Sequence, residues 1–555
     1  MNSYDLHSRH RSLLSKLLPW IGLYSPILIA IGLMLPRLIT PQFGLFDDGR
    51  ILVTAEKIAS GTWYTGLDNL EGRFRPIHWL WFTLSYWAGG LNPFWFYVSN
   101  TFALVAIVGG LILLVQKCGG SKLQAWLTGF FFVISGSVVE GFFTLKGEVI
   151  QLAWMLFSIL FVLPYANART WQQRAIVLVS TSLALVLANL SKETAIVLLP
   201  VSLVWYLLAR FWPGYKTDYK RRQVTKAYFW ANLIAMFVFF SLRATALTAQ
   251  VDEGTYSARY AFQFEQITIS AIRWIGWIIR DFSWVVPLVV VFIILLILKQ
   301  RMMKRNYLIE AIVWMGAWIC VYLPWNFMTE YYMLPFSLGL AVFVSALVAE
   351  ITKPFHEPGR KKAVPAVALA LSAVLLAGSL FNNLTNARVQ LAVDNSNAPM
   401  MAYLVQNTEL NSKIFVNIQD PNEYVSEIRT QLGDVYNRPD LEVLPFDFDL
   451  VLSPEDKIYY IISPYVVNQP LLTVRMGIVE DTQNMWNDDL EEYLQLHPRQ
   501  WIVLENEESF NLSNVNYPRL FCSFITTRSF CAANIPLVDT RLFQYGWRIY
   551  RLEAP

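Results

Sequence analysis

Charged residues are scarce in this sequence, and histidine and cysteine are scarcer still. Asp, Glu, Lys and Arg make up 15% of the 555 residues, whereas a soluble protein carries about 25%. Hydrophobic residues make up 55%, so the polar surface that would coat a soluble protein is missing. The composition excludes a soluble enzyme, a disordered protein and a coiled coil, and it indicates a membrane protein.

Several kinds of catalytic site are excluded by what is absent. The five histidines are scattered without the spacing of zinc ligands. The sequence contains no phosphate-binding loop of the Walker type, no dinucleotide-binding glycine motif and no GxSxG nucleophile elbow. ATP-driven transport and serine hydrolysis therefore have no support.

The net charge of +3 conceals two unlike segments. Residues 391–555 hold 11 Lys and Arg against 23 Asp and Glu, whereas residues 1–390 hold 33 against 18. The first segment is apolar with basic loops, and the second has the composition of a water-soluble domain with an acidic surface. We predict a transmembrane catalytic domain at 1–390 and a soluble domain at 391–555.

Apolar stretches that can cross about 30 Å of hydrocarbon, or nearly so, recur along the first segment. We predict a polytopic α-helical membrane protein with about eleven transmembrane helices. The first apolar run is long and lacks a small-residue cleavage site, so no cleaved signal peptide is expected. The predicted spans are residues 17–36, 93–115, 123–140, 149–166, 175–190, 194–212, 227–243, 282–298, 307–324, 333–351 and 363–381.

The positive-inside rule orients these spans. With the N-terminus in the cytoplasm, every second loop lies inside, and each of these inner loops is basic. We therefore expect a multi-pass protein of the plasma (inner) membrane with an extracytoplasmic C-terminal domain. The other segments placed outside are residues 37–92, 141–148, 191–193, 244–281 and 325–332.

The C-terminal segment has the features of a small extracytoplasmic α/β domain. Cys522 and Cys531 lie nine residues apart, which predicts a disulfide in an oxidising compartment, with two buried free thiols as the alternative. Helix-like stretches at 423–432 and 488–496 separate β-rich runs. These runs are residues 413–418, 457–463, 501–506 and 547–552.

Polar residues at the outer ends of the predicted spans are the candidates for chemistry, because ionisable groups at membrane depth are costly and usually functional. Asp47 and Asp48 begin an amphipathic stretch just past the first span. Two adjacent carboxylates can supply a general base and a neighbour that tunes its acidity. The alternative is a simple helix cap.

Further polar groups follow on the same predicted face. Arg73 and Arg75 precede an aromatic helix too short to span, and they fit either a lipid phosphate or general headgroup anchoring. The remaining candidates each have a structural alternative, a solvated turn or an aromatic belt. They are Glu140 and Glu148 around one tight loop, Lys192 and Glu193 in another, and Glu330 and Tyr331 at the start of a span.

These segments, taken in order, resemble the GT-C membrane glycosyltransferases, which use polyprenyl-phosphate-linked donors. DDGRILVTAEKIASGTW is similar to the opening motif of lipid A aminoarabinose transferases and protein O-mannosyltransferases. RFRPIHWLW followed by NPFWFYVSN resembles their proline-containing helix and the motif after it. KGEVIQLAWMLFSIL and SKETAIVLLP look most like the tetratricopeptide-bearing O-mannosyltransferases.

The sequence also departs from the patterns of this superfamily. Arg75-Pro76 replaces a double proline, and Glu330-Tyr331 stands where many relatives carry Arg-Tyr. The C-terminal segment shows no tetratricopeptide pattern. These departures concern the donor headgroup and the acceptor more than the reaction class.

The resemblance implies an inverting transferase that moves a hexose or pentose from a lipid-linked donor on the extracytoplasmic side. It makes Asp47 the catalytic base and Asp48 its partner. The implied donor-phosphate ligands are Arg73, Arg75, Lys192, Arg243 and Arg259. The implied substrate-binding residues are His78, Glu140, Glu148, Glu193, Glu330 and Tyr331.

The expected partners are a polyprenyl-phosphate sugar, membrane lipids and a glycan, lipid or protein acceptor, with no nucleic acid. We expect no cofactor, although Asp47, Asp48 and Glu148 offer the oxygen ligands that Mg²⁺ or Mn²⁺ would accept. Two alternatives from other classes are a transporter or lipid flippase, and a non-catalytic scaffold for envelope assembly. A transporter would favour an inverted repeat and polar residues at mid-membrane, and neither pattern is found.

Overall fold

The computed structural model describes most of the helical segment and part of the C-terminal domain. The described residues are 22–45, 48–62, 73–213, 215, 218–246, 260, 262–297, 307–325, 330–356, 363–417, 421–446, 456–462, 502–504, 509–520 and 538–553.

Fifteen helices are described before the C-terminal sheet. They are α1 Gly22–Ile39, α2 Asp48–Ala59, α3 Pro76–Gly89, α4 Pro93–Lys117, α5 Lys122–Val133, α6 Gly136–Phe143, α7 Gly147–Val162, α8 Trp171–Ser191, α9 Leu198–Phe211, α10 Tyr219–Ala246, α11 Phe264–Phe282, α12 Val286–Ile297, α13 Tyr307–Tyr322, α14 Leu334–His356 and α15 Ala363–Asn407. A 3₁₀ turn, Glu193–Val197, leads into α9, and another, Glu330–Met333, leads into α14.

Within the described ranges, eight helices are long and apolar enough to cross a membrane. Helices α5 and α6 form a ninth candidate that is bent by 59° at its break. Two shorter apolar helices, Ser283–Ile294 and Leu308–Tyr322, lie in the remaining predicted spans. Every predicted span thus contains helix, which confirms a polytopic α-helical protein, while the count of eleven spans stays a prediction.

Local sequence explains where the short helix α3 and the long helix α4 begin. Helices α3 and α4 each have proline in the first turn, where the missing N–H costs nothing. The Asn92 side chain accepts a hydrogen bond from the amide of Phe94 at 3.0 Å and so caps α4. Helix α2 contacts α3, where Tyr86 donates a hydrogen bond to Glu56 Oε1 at 3.1 Å.

Helix α15 joins the helical segment to the C-terminal sheet. Its first part, Ala363–Phe381, is a candidate span, and the helix then continues to Asn407. Its 45 residues extend about 68 Å at 1.5 Å per residue. Arg438 donates to the carbonyl groups of Val405 and Thr408 at its end, at 2.6 and 3.3 Å. The predicted boundary between residues 390 and 391 therefore falls inside one continuous helix.

A mixed sheet forms the described core of the C-terminal domain. Its strands are β1 Lys413–Asn417, β2 Glu442–Pro445, β3 Ile458–Ile462, β4 Ile502–Leu504, β5 Ser509–Leu520 and β6 Val538–Glu553, and helix α16 Pro421–Thr430 connects β1 to β2. Strand β1 pairs in parallel with β2 and β3, whereas β6 pairs antiparallel with β3, β4 and β5. The sheet confirms the predicted α/β class.

The four predicted β-rich runs all contain described strands, but β2 and β5 were not predicted. Strand β2 is short, lies at the sheet edge and ends in Pro445, a residue that sheets accept mainly at edges. The predicted helix at 488–496 lies outside the described residues. The predicted cysteine pair, Cys522 and Cys531, also lies outside them.

Candidate active site

Asp48 occupies the first position of α2 and is almost completely buried, with 1% of its surface exposed. Its Oδ2 accepts a hydrogen bond from the amide of Gly44 at 2.7 Å. Its Oδ1 has no hydrogen-bond partner among the described residues. Burial raises the pKa of Asp48 to about 7, although the positive charge of Lys146 and the Gly44 hydrogen bond oppose the shift. A buried carboxyl group with one unengaged oxygen is suited to proton transfer near neutral pH.

A buried ion pair lies on one side of Asp48. Arg37, near the end of α1, pairs with Asp394 in α15, and it donates a second hydrogen bond to the carbonyl of Phe143 at 2.7 Å. A Cβ atom at Gly44 would lie 3.3 Å from Asp394 Oδ1 and 3.5 Å from Asp48 Oδ2. Gly44 therefore separates the two carboxylates, and the ion pair holds the first and last membrane helices beside Asp48.

Lys146, whose positive charge acts on Asp48, shares one aromatic ring with Lys192. The Nζ atoms of Lys146 and Lys192 lie 5.2 and 5.9 Å from the ring centroid of Tyr331. Lys192 also lies 4.6 Å from the ring centroid of Tyr332 and forms a buried ion pair with Glu148. Cation–π contacts of this kind attract ammonium groups to the face of a ring and so help to fix the positions of the two Nζ atoms.

The turn that carries Lys192 is fixed from two directions. Gln151 donates a hydrogen bond to the Lys192 carbonyl at 2.8 Å. Glu193 accepts 2.8 Å hydrogen bonds from the amide of Phe74 and from Nε of Arg75. Because α7, α8 and the segment before α3 all meet here, the geometry of Lys192 depends on three separate parts of the chain.

The pKa of Lys192 reflects its burial and the charges around it. Burial lowers the pKa of Lys192 to about 8, Glu148 opposes that shift, and the positive charges of Arg75 and Arg73 add to it. Neighbouring cations lower one another's pKa because their positive charges repel. An anion bound among them would stabilise their charged forms. A phosphate group is the anion that such a set of Arg and Lys donors binds best.

His78 lies close to this cluster but is packed as a core residue. Its ring contacts those of Trp79 and Phe82 edge to face, with centroid separations of 4.4 and 5.1 Å. A Cβ atom at Gly147 would lie only 2.5 Å from His78 Nδ1. Glycine at 147 therefore lets α7 begin directly against this ring.

The structure brings most of the candidate residues predicted from the sequence to one face of the helices. The residues that meet there are Asp48, Arg73, Arg75, His78, Glu148, Lys192, Glu193 and Tyr331. They come from the segments 37–92, 141–148, 191–193 and 325–332, which the charge pattern places on one side of the membrane.

The other predicted residues are described only by their positions in a helix or turn, or they lie outside the described part of the chain. Glu140 lies in α6, where its carbonyl accepts a hydrogen bond from Thr144 at 2.7 Å, and Arg243 lies in the last turn of α10. Glu330 begins the 3₁₀ turn before α14, and its side chain is not among the described groups. Asp47 and Arg259 lie outside the described residues.

Four residues of the site were not selected from the sequence. Lys146 stands between two selected acids and could have been chosen as a third charge in the same tight loop. Arg37 is an ionisable residue at the end of an apolar span, which is itself a functional signal. Asp394 and Tyr332 gave no local signal, because their role depends on contacts with distant helices.

The charges at the site favour an anionic ligand over a cation. Around Lys192, the cations Lys146, Lys192, Arg73 and Arg75 outnumber the acids Glu148 and Glu193 that pair with them. Across the described part of the chain, no group of three or more His, Cys, Asp or Glu side chains is arranged to hold a metal ion.

Comparisons with known proteins support the fold but give no match in sequence. No protein-family model matches the chain. No curated protein matches it either.

Several solved structures resemble the chain, among them these two. One is ArnT from Cupriavidus metallidurans, an aminoarabinose transferase solved with bound undecaprenyl phosphate. It has a TM-score of 0.50 and 14% identity, and the match covers 82% of this chain and 95% of ArnT. The other is the Archaeoglobus fulgidus oligosaccharyltransferase tethered to an acceptor peptide, with a TM-score of 0.48, 11% identity, and coverage of 91% and 75%. The match to ArnT, a member of the GT-C superfamily, extends over most of both chains and shows that this chain has the GT-C fold.

Proposed function

We propose that this protein is an inverting glycosyltransferase. It moves a sugar from a polyprenyl-phosphate-linked donor to an acceptor hydroxyl on the extracytoplasmic side of the membrane. The observation that carries the proposal is the buried Asp48 carboxyl group beside a cluster of four cations on one face of a membrane protein. The fold of ArnT, whose structure holds undecaprenyl phosphate, supports this class of donor.

The acidic pair Asp47 and Asp48 is proposed to activate the acceptor. An alcohol is a weak nucleophile at neutral pH, and a carboxylate in hydrogen-bond reach accelerates its attack by about 10²–10⁴-fold. We assign the base role to Asp47, as the resemblance implies, and the partner role to Asp48. The pKa of about 7 at Asp48 makes this carboxyl group able to exchange a proton near neutral pH.

The cations are proposed to bind the donor phosphate and to stabilise it as it leaves. When the acceptor oxygen bonds to the anomeric carbon, the bond from that carbon to the phosphate oxygen breaks, and the lipid phosphate keeps the electron pair. Lys146, Lys192, Arg73 and Arg75 provide donors where this charge develops. Fixed donors in a dry site are worth more than in water, because they do not need to reorganise.

The remaining predicted residues are assigned to substrate binding on the same face. Arg243 precedes the predicted outer loop 244–281 and Arg259 lies within it, before α11, and both are proposed as further ligands of the donor phosphate. The loop is polar and long enough to close over the donor. His78, Glu140, Glu148, Glu193, Glu330 and Tyr331 are the proposed sugar and acceptor contacts. The moved sugar is a hexose or pentose, and the acceptor is a glycan, lipid or protein.

No metal ion is included in the proposed reaction, because the four cations already supply the positive charge that the leaving phosphate requires. The basic loops assign the N-terminus to the cytoplasm and the site to the outer face of the plasma membrane.

Transfer by purified protein tests the proposal. The protein in detergent or nanodiscs is incubated with undecaprenyl-phosphate-linked hexoses and pentoses carrying radiolabelled sugars, with a membrane extract as the source of acceptors. We expect label to move from the lipid fraction to an acceptor with at least one donor. Absence of transfer together with absence of binding to every donor would contradict the proposal and favour transport or scaffolding.

A further inference from the structure

The C-terminal domain holds the segment that carries Asp48. Glu427, in α16, is buried, and its Oε2 accepts a hydrogen bond from the amide of Gly49 at 2.5 Å, while its Oε1 lies 3.4 Å from the amide of Arg50. These amides belong to the first turn of α2, where backbone N–H groups have no carbonyl partner within the helix. The cap of the Asp48 helix thus comes from a residue 378 positions away in the chain.

A second contact from the same part of the domain fixes the loop before α2. Gln431 Nε2 donates a hydrogen bond to the carbonyl of Gly44 at 2.7 Å, and the amide of Gly44 donates to Asp48 Oδ2. Gln431 follows Glu427 by four residues, so the two side chains emerge one helical turn apart. Together they engage both ends of the segment from Gly44 to Arg50, and the Asp48 carboxyl group lies between the two contacts.

Helix α16 packs closely against the first turn of α2 at Gly49. A Cβ atom at Gly49 would lie 2.7 Å from Glu427 Oε2 and 3.2 Å from both Cβ and Cγ2 of Thr430. Alanine favours helix more than glycine does, yet here it would displace the Glu427 carboxylate. Glycine at 49 therefore allows the close approach of α16, and a larger residue would force Glu427 and Thr430 to shift.

From these contacts we infer that Glu427 and Gln431 are positioning residues for the transfer reaction, and that the C-terminal domain is a structural part of the catalytic site. This inference rests on the proposed function for its kinetic consequence. A reacting group displaced by about 1 Å loses about 10²-fold in rate. The domain thus sets the position of the segment that carries Asp48, in addition to any contact that it makes with the acceptor.

The inference is tested first without reference to turnover. Hydrogen exchange of the full-length protein is measured for peptides that contain residues 44–50 in the parent, Glu427→Ala and Gly49→Ala proteins. We expect both variants to lose at least tenfold in protection in this segment, with unchanged protection in α7 and α8. Full protection in both variants would overturn the inference, whether or not the protein is a transferase.

Kinetics then test the consequence for the reaction. We expect Glu427→Ala and Gln431→Ala to lower kcat by about 10²-fold and about tenfold, with unchanged affinity for undecaprenyl phosphate. Glu427→Gln, which keeps an acceptor oxygen, should recover part of the rate. The matched controls are Ser426→Ala on the exposed face of α16 and Glu442→Gln on β2, both with parental rates.

The pH dependence of kcat distinguishes a positioning role of Glu427 from a general loss of structure in its variants. The groups that face Asp48 are Lys146, Arg37, Asp394 and the amide of Gly44. If Glu427 positions Asp48 among them, the acid-side midpoint of the pH dependence of kcat should move by at least 0.5 pH unit in Glu427→Ala. The same midpoint should return to the parental value in Glu427→Gln. A uniform loss of rate with an unmoved profile, or a parental kcat in Glu427→Ala, would overturn the inference.

Discussion

Asp48 and Gly44 are joined by a hydrogen bond that leaves only one carboxyl oxygen uncommitted. The amide of Gly44 donates to Oδ2 at 2.7 Å, whereas Oδ1 has no partner among the described residues. An acid that served only to cap its own helix would direct its oxygens to the helix amides. Here the amides of the first turn are engaged by Glu427, so the helix-cap interpretation of Asp48 loses its main support.

The rate of transfer should have a bell-shaped dependence on pH. Burial raises the pKa of Asp48 to about 7, so the carboxylate form of Asp48 grows as the pH rises through 7. Burial lowers the pKa of Lys192 to about 8, so this cation is lost as the pH rises through 8. We expect the optimum of kcat/KM between the two values, measured with one donor from pH 5.5 to 9.5. A flat profile over this range would contradict the assignment of both groups.

Asp48→Asn should stabilise the protein, and the gain should grow with pH. The folded-state pKa of about 7 lies above the ordinary value of 3.8, so the ionised form is disfavoured by folding. The resulting loss of stability begins above pH 3.8, increases up to about 7 and is constant at higher pH. We expect the melting temperature of Asp48→Asn in detergent to exceed that of the parent by more at pH 8 than at pH 5. The opposite order would show that Asp48 is stabilised as a carboxylate.

Removal of the charge at Lys192 should weaken donor binding. A single Lys192→Met change would leave Glu148 buried without its partner, so the informative variant also carries Glu148→Gln. A hydrogen bond to a charged group is worth about 1.5–3 kcal/mol, which predicts an affinity for undecaprenyl phosphate about 10- to 100-fold lower. Microscale thermophoresis with the lipid in nanodiscs measures this loss. Lys122→Met, at an exposed position near the start of α5, is the control. Equal affinity in the double variant and the parent would remove Lys192 from the phosphate site.

The ion pair between Arg37 and Asp394 should be needed for stability. Both side chains are buried, and removing one partner of a buried pair costs about 3–5 kcal/mol. We therefore expect Asp394→Asn to lower the melting temperature clearly, and Arg37→Met combined with Asp394→Leu to recover part of the loss. Asp456→Asn breaks the more exposed pair with Lys413 and should cost at most about 1 kcal/mol. Similar losses from Asp394→Asn and Asp456→Asn would contradict the structural role of the buried pair.

The sequence predicted the parts of the structure that depend on composition and local pattern. The apolar runs gave the helices, proline before an aromatic run gave α3, and the adjacent acids gave the start of α2 at Asp48. The alternation of basic loops placed Asp48, Lys192 and Arg75 on one face, although it gave no distances between them.

The sequence could not predict relationships that arise only when distant segments pack together. Arg37 and Asp394 are 357 residues apart, so the sequence around either residue does not reveal its partner. The contact of Glu427 with Gly49 depends on where the C-terminal domain meets α2. A glycine and a glutamate carry no pairing signal in a single sequence, because their complementarity exists only in three dimensions.

The most direct test of the account is the release of undecaprenyl phosphate from the donor that gives transfer, measured for purified parent, Asp47→Asn and Asp48→Asn proteins. We predict release by the parent and a loss of about 10²–10⁴-fold in each variant, with donor binding unchanged. Parental release by both variants, or no release by a parent protein that binds the donor, would contradict the claim that this acidic pair catalyses transfer from a lipid-linked sugar.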